Sequence, residues 1–238
     1  MARILMVVTG ADGLTLADGT THPTGFWAEE VVASHRALRE AGIEVDIATP
    51  GGVPAPVDPI SLDERGGVPQ AAGAEFRDYL DAIADELAKP LVLADVAATD
   101  YDGVYLPGGH GPMQDLARDA DLGRLLADAD RTGKIVAALC HGPAGLLSST
   151  GGPNGTFTFA GRRLTVFTDD EEQQGGLKDA TPYLVESRLR ELGAVVEAGP
   201  AWSSTVVVDR NLITGQNPQS SAATAHEVVK SLAARGVA

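Results

Sequence analysis

Ile135-Val-Ala-Ala-Leu-Cys140-His141-Gly142-Pro143 is an unbroken run of five apolar residues that passes directly into a cysteine, a histidine, a glycine and a proline. A run of that length without polar alternation predicts a strand covered on both faces. The residues after it, Pro143-Ala-Gly-Leu-Leu147, read as a helix start with proline in its first turn. Strand, turn and helix with the cysteine at the turn have the small-x-nucleophile-x-Gly pattern of a nucleophile elbow. The same alternation extends outward in both directions. Arg3 to Val8 reads as a first strand, Trp27 to Ala41 as a helix stopped by Gly42, and Ile43 to Ala48 as a second strand. A Pro/Gly-rich connection from Gly51 to Gly73 leads to a helical stretch, Ala74 to Ala88, where Phe76, Leu80, Ile83 and Leu87 recur at helical spacing. Gly103 to Leu106 is a strand and Ala120 to Thr132 a helix. Arg163 to Phe167, Val195 to Glu197 and Thr205 to Val208 are further strands, and Ser220 to Ala234 is a closing helix. The expectation is an α/β fold: one doubly wound, mostly parallel sheet with helices on both faces and the elbow at the end of a central strand. Residues 1–238 are read as a single domain with an inserted helical segment around 60–100.

Composition narrows the function. The 238 residues carry 33 acidic and 18 basic side chains, a formal net charge of −15, with no cluster of cations longer than Arg162-Arg163. Nucleic acid and anionic membranes are therefore not expected partners. No apolar run approaches the ~18 residues of a membrane span, and Met1 to Val8 reads as a strand rather than a signal peptide. Cys140 is the single cysteine. That excludes an intrachain disulfide, no Cys/His spacing suggests a structural zinc site, and a reducing cytoplasm is the expected location. The Asn154-Gly-Thr156 sequon then reads as a turn.

In a doubly wound sheet, ligands bind beyond the carboxyl ends of the strands. Cys140 sits there. As a small buried hydrophobe it would need no neighbours of this kind, whereas a helix start beside the thiol favours a reactive thiolate. The Cys140 or His141 amide would face a developing oxyanion. A second strand-end loop, Tyr105-Leu-Pro-Gly-Gly-His-Gly-Pro112, has glycines that expose amides to the same crevice and brings in His110. Of the other histidines, His22 and His226 read as surface residues and His35 as structural. Glu29 and Glu30 open the first helix. Helical phase from Trp27 to Ser34 turns Glu30 inward and leaves Glu29 in solvent. The acidic run Asp169-Asp-Glu-Glu172 reads as a solvated face, with at least three of its four carboxylates in water.

Five blocks carry a family resemblance: Thr24-Gly-Phe-Trp-Ala-Glu-Glu30, Leu106-Pro-Gly-Gly-His-Gly-Pro112, Ala138-Leu-Cys-His-Gly-Pro143, Phe167-Thr-Asp-Asp-Glu-Glu172 and Leu212-Ile-Thr-Gly-Gln-Asn-Pro218. In this order they resemble the ThiJ/PfpI superfamily, with its flavodoxin-like fold, and within it the branch of glutathione-independent glyoxalases (glyoxalase III) and related stress chaperones. The resemblance implies a catalytic set of Cys140 as nucleophile, His141, Glu172 as the acid orienting that histidine, and Glu30 beside the thiol. Oxyanion and substrate binding would fall to Gly109, His141 and His110. It further implies a lyase that needs no cofactor and no metal, converts a small α-oxoaldehyde such as methylglyoxal to lactate through a Cys140 hemithioacetal, and works as a homodimer. The alternatives are a holdase chaperone or protein-damage repair protein of the same family, and then a cysteine peptidase or amidohydrolase. Glutamine amidotransferase chemistry is disfavoured, because the one late histidine, His226, is followed by Glu227 and Val228 rather than by His-x-Glu.

Overall fold

A computed structural model describes residues 1–151 and 155–237; Asn154 of the sequon lies outside them. The strands are β1 (Arg3–Val7), β2 (Gly13–Thr15), β3 (Thr21–Pro23), β4 (Glu44–Thr49), β5 (Leu91–Val92), β6 (Gly103–Leu106) and β7 (Ile135–Leu139). They continue with β8 (Arg163–Leu164), β9 (Val195–Val196), β10 (Val206–Asp209) and β11 (Leu212–Gly215). The helices are α1 (Ala28–Glu40), α2 (Gln70–Ala82), α3 (Ala84–Ala88), α4 (Gly111–Gln114), α5 (Ala120–Arg131), α6 (Asp169–Gln174), α7 (Val185–Glu191) and α8 (Ser221–Ala234).

Seven strands form the main sheet in the order β10-β11-β7-β6-β1-β4-β5. Every pairing is parallel except β10 with β11 at one edge. The apolar runs are unbroken because both faces are covered. Ile4, Met6, Tyr105, Ile135, Ala137 and Leu139 point to a core shared with Val31, Val32 and Leu38 of α1 and Val228 and Leu232 of α8. The alternate residues Leu5, Val7, Leu106, Val136 and Ala138 point to a second core under α5. Side chains of successive strand residues thus feed two different cores, and the polar groups that enter the sheet are paired, as the Tyr105 hydroxyl is with Ser34 at 2.7 Å.

Several elements depart from the sequence reading. Arg163 to Phe167 is not a strand of the main sheet: only Arg163 and Leu164 pair, with Val195 and Val196, in a separate two-stranded ribbon. The place beside β7 is taken by β11, which lies in the Leu212 to Pro218 block. The helical stretch of 74–88 begins earlier, at Gln70, and breaks at Ile83, so it is two helices. Residues Gly142–Ser149 form a run of 3-10 turns rather than an α-helix. The short elements β2, β3, β5 and α7 have no counterpart in the sequence reading.

The elbow is held by a close approach. A Cβ on Gly142 would overlap the Leu106 carbonyl oxygen at the end of β6, a contact that only glycine avoids. Gly142→Ala should therefore force β6 and β7 apart at their carboxyl ends and cost about 1–3 kcal/mol of stability. A urea midpoint equal to that of the wild type would contradict this packing.

Candidate active site

Cys140 adopts φ 56°, a left-handed conformation that a residue with a Cβ rarely takes. Its backbone is fixed on both sides, with its N–H donating to the Gly215 carbonyl at 3.0 Å and its carbonyl accepting from the Phe167 N–H at 2.9 Å. The end of β11 and the loop before α6 thus hold the strained turn in place. The side chain is 4 % exposed. Burial first, and then the nearby Glu30 charge, push the thiol well above its ordinary value. This corrects the expectation of an exposed, low-pKa thiolate: the resting residue is a buried neutral thiol.

Glu30 is fully buried on the inner face of α1. Its Oε2 accepts the Gly108 N–H at 2.6 Å. Its Oε1 is buried without a hydrogen-bond partner among the described residues, and the carboxyl is near enough to Cys140 for each to shift the other's titration. Burial pushes this carboxyl up to about 8 against the opposing effect of the Gly108 bond. Glu29, expected in solvent, is half-buried instead and lines the cavity over the thiol, where burial raises its pKa as well.

On the other side of the sulfur, His141 Nδ1 lies 3.5 Å from Sγ and its Nε2 lies 2.6 Å from Glu172 Oε2. Burial, and after it the neighbouring His110, pull the His141 pKa down, so the ring is neutral. For Glu172 burial works upward, but the electrostatic pull of the His141 ring and hydrogen bonds from both imidazoles override it and hold the carboxyl well below the usual range. An ionised carboxylate accepts a hydrogen bond from the Nε2–H, and that leaves the Nδ1 lone pair facing the thiol. Glu172 Oε1 binds a second imidazole, with His110 Nε2 at 3.0 Å. The two histidine rings lie 4.0 Å apart. His110 therefore enters the site as a partner of Glu172 as well as a wall of the cavity. His110, His141 and Glu172 also bring one donor atom each to within 4.8 Å of one another, a spacing that could hold a metal ion. Here each carboxylate oxygen is already bonded to an imidazole.

The reading of Asp169 to Glu172 as mostly solvated is wrong for two of the four. Glu171 and Glu172 are buried, Asp169 is half-buried and Asp170 is exposed. Glu171 Oε2 accepts from the Thr168 N–H and hydroxyl, both at 2.9 Å. Its Oε1 accepts from the Trp202 N–H at 2.8 Å, Gln216 Nε2 at 3.2 Å and Asn217 Nδ2 at 2.7 Å. The Gln216-Asn217 pair of the last sequence block thus binds the carboxylate next in sequence to Glu172.

Gly109 has φ 86°, and a Cβ there would overlap the Gly25 carbonyl oxygen. Its amide has no partner among the described residues. The His141 amide lies beside Gly108 and donates toward the sulfur. Cys140, His141, His110, Glu172 and Gly109 open into one cavity of about 670 Å³. Sequence reasoning missed His22 there. Its ring packs edge-on to His110 at 5.9 Å, and its Nε2 is buried without a partner among the described residues. His35 is buried and bonded through Nδ1 to the Tyr79 hydroxyl at 2.9 Å, which is a structural role, and His226 is exposed on α8.

A cysteine on a strand-end elbow, with a histidine beside it and a buried glutamate from the first helix, on a doubly wound sheet, defines a thiol-dependent α/β protein. The chain belongs to the DJ-1/PfpI family, which matches residues 22–231. It is 26% identical to Glyoxalase 3 of Candida albicans over 96% of this chain and 98% of that protein. The crystal structure of that organism's glyoxalase III superposes with a TM-score of 0.80 at 25% identity, covering 96% of each chain. The glutathione-independent glyoxalase HSP31 of Saccharomyces cerevisiae is 28% identical over 97% of this chain and 98% of its own length. The protein/nucleic acid deglycase HchA of Staphylococcus aureus is 29% identical over 92% of this chain and 76% of its own.

Glu30 predicts a pH dependence. From its ordinary 4.5 up to about 8, the folded state keeps a proton that the unfolded chain gives up. Stability therefore falls as pH rises through this window and levels off above it. The buried neutral His141 acts in the opposite direction below its ordinary 6.5, so the difference between wild type and Glu30→Gln isolates the carboxyl. Urea titrations at pH 5 and pH 8.5 should show the variant gaining roughly 2–4 kcal/mol on the wild type, at about 1.36 kcal/mol for each pH unit over which the folded and unfolded carboxyls differ in protonation. Parallel pH profiles would mean that Glu30 is not protonated in the fold.

Proposed function

We propose that this chain is a glutathione-independent glyoxalase that converts an α-oxoaldehyde such as methylglyoxal to the 2-hydroxy acid, with no cofactor. The observation that carries this reading is the placement of one thiol between a neutral imidazole and a protonated carboxyl. His141 Nδ1 takes the thiol proton as the sulfur attacks the aldehyde carbon, and the amides of Gly109 and His141 face the oxygen of the resulting hemithioacetal. The C1 proton then moves to C2 through an enediol, giving a thioester. Glu30 suits this transfer, because a carboxyl near 8 exchanges protons at neutral pH. Water cleaves the thioester and returns the thiol. C1 is oxidised from aldehyde to acid while C2 is reduced from ketone to alcohol, so no external electron carrier is required.

The relatives named protein/nucleic acid deglycase favour a second reading, in which the same thiol acts on an aldehyde already added to a protein or nucleotide. The net charge of −15 opposes a nucleic-acid substrate. We take the whole chain as one domain of a cytoplasmic homodimer, to be checked by light scattering against the 24.5 kDa protomer. Among the described residues, no helix is long and apolar enough to cross a membrane.

The deciding assay is purified protein with methylglyoxal, without glutathione, and chiral detection of lactate. Wild type should form lactate, Cys140→Ser should lose nearly all turnover while remaining folded, and Glu30→Gln should fall by ~10²–10⁴-fold. Absence of lactate from the wild type, or turnover retained within a few-fold in Cys140→Ser, would sink the covalent mechanism.

A further inference from the structure

The cavity is much larger than methylglyoxal. That molecule displaces about three waters, roughly 90 Å³ at about 30 Å³ per water, against a cavity of about 670 Å³. The cavity lining includes several large apolar side chains beside polar ones such as Arg65 and Gln219: Phe167 and Trp202, and Ile60, Val68 and Phe76 from the segment that connects β4 to β5.

Trp202 is the least expected of these. It is 41% exposed, so it fills no core. It adopts φ 60°, a conformation unfavourable for a bulky residue. Both of its N–H groups are fastened: the backbone N–H to buried Glu171 at 2.8 Å and Nε1–H to Gln174 Oε1 at 2.7 Å. The following residue, Ser203, is held through its carbonyl by Asn217 Nδ2 at 2.9 Å. The indole meets Phe167 edge-on at 5.6 Å, and Phe167 in turn covers His141 at 4.5 Å. An exposed aromatic ring is thus held in a strained backbone at the cavity wall and connected by ring contacts to the imidazole beside the thiol. Strain of this kind persists where the surroundings enforce one orientation. Edge-to-face geometry against a ring bound in the cavity is what such an orientation offers.

We propose that the outer part of the cavity is a pocket for an aromatic substituent, with Trp202 as its specificity-determining residue, so that the preferred substrates are aryl-substituted α-oxoaldehydes. This rests on the glyoxalase reading and names its substrate class. The reaction balances as for methylglyoxal: arylglyoxal plus water gives the 2-hydroxy-2-arylacetate, with C1 oxidised and C2 reduced within one molecule.

The test compares initial kcat/KM for phenylglyoxal and methylglyoxal. Wild type should favour phenylglyoxal. Trp202→Gly removes the ring while suiting the left-handed backbone, and should lower the phenylglyoxal-to-methylglyoxal ratio by about tenfold, the factor carried by roughly 1.4 kcal/mol of lost contact. Trp202→Phe, which keeps a ring but loses the Gln174 bond, should lower it less. A ratio unmoved in Trp202→Gly, or a wild type that favours methylglyoxal, overturns the proposal. A second measurement needs no turnover. The protein has two tryptophans, Trp27 and Trp202, and both line the cavity, so intrinsic fluorescence of Cys140→Ala reads binding of the unreactive products. Mandelate should bind at least tenfold tighter than lactate, and equal affinity overturns the pocket. If no α-oxoaldehyde is turned over while mandelate still binds preferentially, the glyoxalase reading fails and the aromatic pocket stands.

Discussion

The buried carboxylate of Glu171 is the constraint on which the geometry of the thiol site depends. A fully buried charge is costly unless hydrogen bonds replace its hydration, and Glu171 has five donors from Thr168, Trp202, Gln216 and Asn217. Those donors come from the start of α6, the loop before β10 and the end of β11. One side chain therefore fixes three segments against each other. Glu172 follows it in the same helical turn, so the direction of its carboxylate toward His141 and His110 is set by the anchoring of its neighbour. Charge-assisted bonds of this kind are stronger than neutral ones, which suits a residue that must hold this junction steady.

Glu30 and Glu172 show how environment divides two chemically similar carboxyls between roles. Glu30 has a single backbone donor and a sulfur beside it, and burial keeps it protonated to about 8. Glu172 has an imidazole on each oxygen and stays ionised. Between them lies Cys140, with a proton donor on one side and a proton acceptor, His141 Nδ1, on the other. Pairs of groups pushed to opposite protonation states are how a site runs acid and base steps at one pH. The assignment follows from counting donors around each carboxyl rather than from residue type.

The strands that build the site were legible in sequence because most of their residues are buried on both faces: β6 and β7 are buried throughout, β1 is apolar after Arg3, and β4 keeps Val45, Ile47 and Ala48 in the core between polar residues. The two-residue strand β5 has too little pattern to read, whereas β8 and β9 fall within stretches read as strands. Arg163 to Phe167 has strand composition, and only its pairing partner shows that it leaves the main sheet. Helical phase from Trp27 turned Glu30 inward but wrongly left Glu29, which is half-buried, in solvent, and Cys140 and His141 were legible from the elbow. Glu171 was not, since a run of four acids reads as solvated and its donors Trp202, Gln216 and Asn217 are about 30 to 46 residues away in sequence. The same holds for His22, which reaches the cavity only because β2 and β3 fold as a hairpin toward His110.

The height of the thiol pKa bears on how the site works. A thiolate at rest would attack an aldehyde without help, but it would also be the form most open to oxidation. Burial and the Glu30 carboxyl instead keep Cys140 protonated until a partner takes the proton. His141 is positioned for that, with Nδ1 at 3.5 Å and its far nitrogen fixed by Glu172. In the proposed mechanism nucleophile formation coincides with carbon–sulfur bond formation, and the negative charge passes to the aldehyde oxygen rather than resting on a desolvated sulfur. A buried neutral thiol is thus compatible with nucleophilic chemistry where N–H donors are in place beforehand, and the φ 56° turn at Cys140 and the φ 86° turn at Gly109 fix the backbone that carries the His141 and Gly109 N–H groups.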